Sequence, residues 1–129
     1  MTEDNGQKNA RDEARRGDEC LAEARYLLEG GFFNAAVSRA YYAAFHWALA
    51  LLFLKGFEPR THRGVVQLFH LHYVETGALS MDAAAALGQL ETYRELSDYN
   101  AKVAFDEKRA TEEIRRAATF LDACRPLMS

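Results

Sequence analysis

The stretch FFNAAVSRAYYAAFHWALALLFLK, residues 32–55, constrains this chain more than any other feature, because it is apolar nearly all round a helix. Such a segment belongs in a membrane or at the centre of a helical domain, since about 20 apolar residues suffice to cross a bilayer. Asn34, Ser38, Arg39 and His46 decide between the two. A charged group near the bilayer centre costs at least about 2.5 kcal/mol, so a buried central helix is the expectation. At about 100° per residue, Ser38, Arg39, Tyr42 and His46 also fall on one stripe of that helix.

Punctuation along the chain divides the rest. Turn-forming residues cluster at Gly30-Gly31, Gly56 to Pro59, Thr76-Gly77 and Asn100 to Asp106. The segments between them carry helical, not strand, periodicity. A first helix over residues 10–29 has Gly17, Leu21, Ala24 and Leu28 on one face. A short third helix covers 63–74, with Val65, Phe69 and His72 on one side. Ser80 is the expected N-cap of a fourth helix over 81–100, with Asp82 where the helix dipole favours a negative charge. Asp106 caps the last helix, which Pro126 ends. Short connections make the neighbours antiparallel, so the expected class is all-α: an up-and-down helical bundle of four long helices plus one short helix. Residues 1–9 are expected to be a disordered N-terminal tail and residues 10–129 the bundle domain.

A chain of 129 residues forms one core without staples. Cys20 and Cys124 lack any C-x-x-C spacing and read as small core residues of a reduced, cytoplasmic protein. The polar N-terminus shows neither a secretory signal nor a lipid-anchor motif. A net charge of −3 argues against a protein that coats nucleic acid, although Arg60, His62 and Arg63 form a local basic cluster. His70 and His72, two residues apart on a helix, point to opposite faces, which disfavours joint metal ligation. No metal or cofactor is expected.

On the fourth helix the apolar stripe of Ala83, Leu87 and Leu90 continues into Arg94 and Asp98. Two charges pointing the way core residues point must be paired or must face a cleft. One reading is an Arg94–Asp98 or Arg39–Asp98 ion pair that fixes helix register, helped by the Tyr42 and Tyr99 hydroxyls. The other is an anion-binding or phosphate-binding cleft between the second and fourth helices.

These segments resemble a known family. AVSRAYYAAFHWALALL, with its S-R-x-Y-Y-A-x-F pattern, followed by R-E-L-S-D-Y over residues 94–99, is similar to the stand-alone branch of the HEPN superfamily across residues 21–121. The resemblance implies a helical bundle, paired as a homodimer, with the later motif near the dimer cleft. Many relatives are metal-independent ribonucleases whose motif is an arginine and, four to six residues on, a histidine. Arg94 matches that arginine, but Asp98 and Tyr99 stand where the imidazole belongs, and no histidine follows His72. An ordinary Asp, with a pKa of about 3.9, is a poor proton shuttle at neutrality and repels phosphate. His46 and His62 replace it only if folding brings one beside Arg94.

The resemblance therefore implies a binding module, non-catalytic by itself, that partners a minimal nucleotidyltransferase in a toxin–antitoxin or nucleotide-transfer pair. Arg39, Tyr42, His46, Arg94, Asp98 and Tyr99 are the candidate ligand- or partner-binding residues, with a nucleotide or RNA as the ligand. Two alternatives remain: a ribonuclease toxin using Arg94 with a non-standard acid or base, and a purely structural dimer.

Overall fold

A computed structural model describes residues 3–128. Among these, every regular element is a helix: α1 (Glu3–Glu29), α2 (Phe33–Leu54), α3 (His62–Phe69) running into a π-helical turn (His70–Val74), α4 (Met81–Tyr99) and α5 (Glu107–Cys124), closed by a 3-10 turn (Arg125–Met128). Four long helices and one short one form the expected all-α bundle.

Helix α2 and helix α5 pack against each other across the middle, while α1 and α4 each pack against both, on opposite sides. The inner face of α2 supplies Val37, Tyr41, Trp47, Leu51 and Leu52 to a core completed by Phe69, Leu87, Leu90, Phe120 and Leu121. By length and composition α2 would span a membrane, yet it is the central helix of this core. Its outer face, between α1 and α4, is only half covered at Ser38, Arg39, Tyr42, Phe45, His46 and Leu49.

Close approach of α1 to α2 depends on Gly17, where a Cβ would lie 2.6 Å from Trp47 Cδ1 and 2.8 Å from the Ala43 carbonyl oxygen. The indole N–H of Trp47 donates to Asp18 Oδ1 at 3.0 Å, and Arg125 donates to the same oxygen at 2.9 Å, which fastens the C-terminal turn to α1. Both cysteines are buried thiols.

Capping follows the sequence chemistry. The Ser80 and Asp106 side chains accept from the Ala83 and Arg109 amides at 3.2 and 2.8 Å. The starts of α1 and α3 differ from expectation. Helix α1 begins at Glu3, so the tail expected over residues 1–9 is helical from residue 3, and residues 1 and 2 lie outside the described residues. The cause is contact through small residues: Gly6 and Ala10 are buried although their neighbours are polar. Helix α3 begins one residue early, because the Thr61 hydroxyl caps the Gly64 amide at 2.9 Å and draws His62 into the first turn.

Candidate functional site

The half-covered face of α2 and the last turns of α4 meet at one end of the bundle, and a single side chain fixes their relation. Asn34, in the first turn of α2, donates from Nδ2 to the Val103 carbonyl at 2.9 Å and accepts from the Phe105 amide at 2.8 Å. Its own carbonyl accepts from the Ser97 hydroxyl at 3.1 Å. The loop after α4 and the C-terminal turn of α4 are thereby strapped to α2. Leu27, Asn34, Ala35, Ser38, Arg39, Ser97 and Asp98 line an open cleft of about 480 Å³ there. Leu27 and Arg39 also line an adjoining cleft of about 430 Å³ that reaches Glu23 and the 78% exposed Tyr26 of α1.

Arg94 lies at the edge of this region with only 8% of its side chain exposed. Its guanidinium stands 5.0 Å from the Tyr41 ring centroid and 5.8 Å from that of Tyr99. Burial pulls its pKa down, but the neighbouring Tyr99 phenol and the oxygens of Tyr42 and Tyr41 outweigh that, so it stays fully charged. The Asp98 carboxylate is 3.6 Å from Nη1, beyond hydrogen-bond length, and the buried Nε has no hydrogen-bond partner. Aromatic faces, the neighbouring Tyr99 phenol and one loose counter-ion thus hold this buried cation.

The other sequence-predicted residues divide. Arg39 stacks over Tyr42 at 4.9 Å and pairs at 3.9 Å with Glu23 of α1; it shares the cleft with Asp98 without pairing to it. Of the two expected pairs, Arg94–Asp98 forms and Arg39–Asp98 does not. Tyr42 is the hub, with its ring 5.1 Å from Tyr41. Tyr99 is 79% exposed, its ring centroid 5.8 Å from the Arg94 guanidinium. His46 turns away from Arg94, its Nδ1 held 2.6 Å from Glu13 Oε2 of α1.

Two residues of the cluster escaped the periodicity argument. Tyr41 is fully buried, and its hydroxyl is 2.9 Å from His62 Nδ1. Burial, then the Glu91 carboxylate, push the Tyr41 phenol well above its ordinary range, so it keeps its proton. The His62 ring stacks on Phe45 at 4.4 Å and meets Tyr42 edge-on at 6.2 Å. An imidazole and the motif arginine thus share one tyrosine. The Thr61 cap ahead of His62 was the sequence signal that places it in the helix. His72 stacks instead on Phe57 at 4.3 Å, far along the chain from this cluster.

Comparison with known proteins agrees with this architecture. A UPF0332 protein of Thermotoga maritima is 36% identical over 88% of this chain and 86% of its own length. A Methanocaldococcus jannaschii protein named as a candidate toxin is 34% identical over 81% of this chain and 78% of its own. Among solved structures, an archaeal HEPN homologue superposes with a TM-score of 0.74 at 21% identity over 94% of this chain and 98% of its own. TT1696 from Thermus thermophilus gives 0.76 at 21% identity over 92% and 98%. At that identity the two structures attest the fold alone. The HEPN domain model matches residues 10–127, and the chain belongs to the HEPN domain family.

Proposed function

We propose that this chain is a HEPN binding module, non-catalytic by itself, that holds a phosphate-bearing ligand at Arg94. It works with a minimal nucleotidyltransferase in a toxin–antitoxin or nucleotide-transfer pair. The observation that carries the reading is the state of Arg94, a buried cation with an unpartnered Nε whose single loose counter-ion, Asp98, lines an open cleft. A residue that served only to lock helices would be expected to have its donors filled. The naming of relatives as candidate toxins supports the toxin–antitoxin setting. Arg39, Tyr42, Asp98 and the exposed ring of Tyr99 frame the ligand or present themselves to the partner. Tyr99 is the residue on which a nucleotide-transferring partner would act.

We also propose that the module is a homodimer. The outer face of α2 leaves apolar rings half exposed, and a second copy covers them under two-fold symmetry, the commonest oligomer. Light scattering should give twice the 14.6 kDa chain mass. Calorimetric titration with adenosine 5′-monophosphate tests the ligand, and co-purification with a co-expressed minimal nucleotidyltransferase tests the partner. Binding in the wild type that is lost in a folded Arg94→Ala protein is expected; wild-type affinity in that variant overturns the reading.

The ribonuclease reading has one observation in its favour, the His62 imidazole on the tyrosine that Arg94 covers. Chelator-resistant cleavage of single-stranded RNA that requires Arg94 would establish it.

A further inference from the structure

A cleft of about 710 Å³ runs along the seam between α4 and α5, and it shares no lining residue with the two clefts around Arg39. Small side chains leave it open: Ala83, Ala85 and Ala86 on the α4 bank, Thr119 and Ala123 on the α5 bank, with the buried Phe120 at its floor. A groove between two helices with small residues on both banks admits a third helix, at interaxial distances of about 8 to 10 Å.

The charges of α5 select which helix fits. Glu112, Arg115, Thr119 and Asp122 recur at three- and four-residue steps and so share one stripe, which Arg125 continues in the C-terminal turn. Along the chain the four charges run negative, positive, negative, positive, at spacings of three, seven and three residues. Reversal leaves the spacing unchanged and inverts every sign. Two copies of the stripe laid antiparallel therefore set Arg115 against Asp122 of the partner subunit and Glu112 against Arg125 of the partner subunit, with the axis between the small residues Ala118 and Thr119. Laid parallel in the same register, they would set like charge against like.

The inner charges are also free to pair. Arg109 and Arg116 are committed to Glu112 and to the buried Glu113, whereas Arg115 is exposed and has no ion pair or hydrogen bond among the described residues. Asp122 is 78% exposed and lies 3.6 Å from Arg125 Nε, beyond hydrogen-bond length. Glu112 and Arg125 keep their bonds to Arg109 and Asp18, so the outer pair adds less than the inner.

We infer that this seam is an interface between two copies of the chain, with α5 of each lying antiparallel in the α4–α5 groove of the other about a two-fold axis. Shape agrees with charge, because α5 is both a wall of its own groove and the ridge that enters its partner's, so the two concavities fill together. Twelve residues line the groove, short of the roughly 20 to 30 a side of a standard interface, so the contact is weak and reversible. It is separate from pairing through the outer face of α2 and uses none of the residues around Arg94. Where both interfaces form, two α2-paired dimers join into a tetramer.

Sedimentation of the full chain over about 1 to 300 µM tests this, since a contact of this size should associate within that range. The smallest species reports on α2, one chain or two, and a further doubling with concentration reports on α5, so the two readings fail separately. Arg115→Glu and Asp122→Arg each bring like charges together twice per interface and should weaken the doubling at least about tenfold. Arg115→Asp combined with Asp122→Arg reverses the inner pair and should restore it. Both positions are exposed, and all three proteins should melt near the wild type. Thr119→Cys, beside the axis, should link two copies by a disulfide under mild oxidation; Gln67→Cys on α3 and the wild type, whose Cys20 and Cys124 are buried, should not. A wild type of constant mass, single variants that double as readily as wild type, a double variant no better than the singles, or Thr119→Cys that stays unlinked overturns the inference.

Discussion

Arg94 and Asp98 stand one turn apart on α4 with 3.6 Å between Nη1 and Oδ2, and they differ sharply in exposure, 8% for the arginine side chain and 35% for the aspartate. This asymmetry predicts unequal mutants. Asp98→Ala removes a partly solvated, loosely paired charge, and the cost should be about 1 kcal/mol or less. Arg94→Ala removes a buried stem and the cation that lies over the Tyr41 and Tyr99 rings, and should cost about 2 to 3 kcal/mol. Urea denaturation of both singles and the double measures this. Two equally large losses, with a double mutant well short of their sum, would show a locked ion pair instead of a site.

Gly17 is where α1 and α2 come closest, and the obstacle to a side chain is backbone as well as indole: the Ala43 oxygen would lie 2.8 Å from a Cβ. Ala is the better helix former by about 1 kcal/mol. Overpacking costs about 1 to 3 kcal/mol and should win, because the backbone oxygen has nowhere to move. Gly17→Ala should melt lower than wild type, and an unchanged or raised Tm would show that the helices can separate freely. Gly88, where a Cβ meets nothing within 4 Å, is the contrast: Gly88→Ala should stabilise.

How much of this was legible in the sequence follows the range of the interaction. The Ser80 and Asp106 caps act on amides three residues on, and both were readable. So was the outer stripe of α2, because Ser38, Arg39, Tyr42 and His46 declare themselves by polarity at helical spacing. Partners across helices were not readable. Arg39 chose Glu23 and His46 chose Glu13, both on α1, and nothing local selects a carboxylate on another helix. Tyr41 and Tyr42 are adjacent and identical, yet one is buried under Arg94 and the other is half-buried under Arg39. The helical start at Glu3 was hidden because Gly6 and Ala10 pack through small size, which leaves no hydrophobic signal.

Tyr73 is buried and donates its hydroxyl to the Leu51 carbonyl, and burial pushes its phenol up to about 12 from its ordinary value of 10.0. The folded state prefers the protonated phenol more strongly than the unfolded chain does. The resulting stability is fully present below about pH 10 and is lost as pH rises through the folded-state value. Tyr41, raised by burial in the same direction, adds to the effect. The urea midpoint should therefore fall between pH 10 and 12. Tyr73→Phe should be less stable at neutral pH, having lost a hydrogen bond, and should show a shallower alkaline decline. An alkaline decline as steep in Tyr73→Phe as in wild type would assign the effect elsewhere.

Asn34 separates the architecture of the site from its chemistry. Its side-chain amide is spent on the loop after α4, through Val103 and Phe105, and it lines the cleft beside Arg39 and Asp98 without carrying a charge. Asn34→Ala leaves the Phe105 amide and the Val103 carbonyl without those bonds. Each such loss costs about 1 to 3 kcal/mol where burial is complete and less here, where the bonds are partly buried, so the total should be about 1 to 2 kcal/mol. The change should be local: hydrogen exchange should accelerate at Phe105 and in the last turn of α4, and the α2–α5 core should keep its protection. Every charged group of the site is still present in this variant. If the strap serves only stability, monophosphate affinity is unchanged. If the site depends on where α4 ends, affinity drops with the full charge set intact, and that drop is the expected result, because Arg94 and Tyr99 sit in the turns that Asn34 holds.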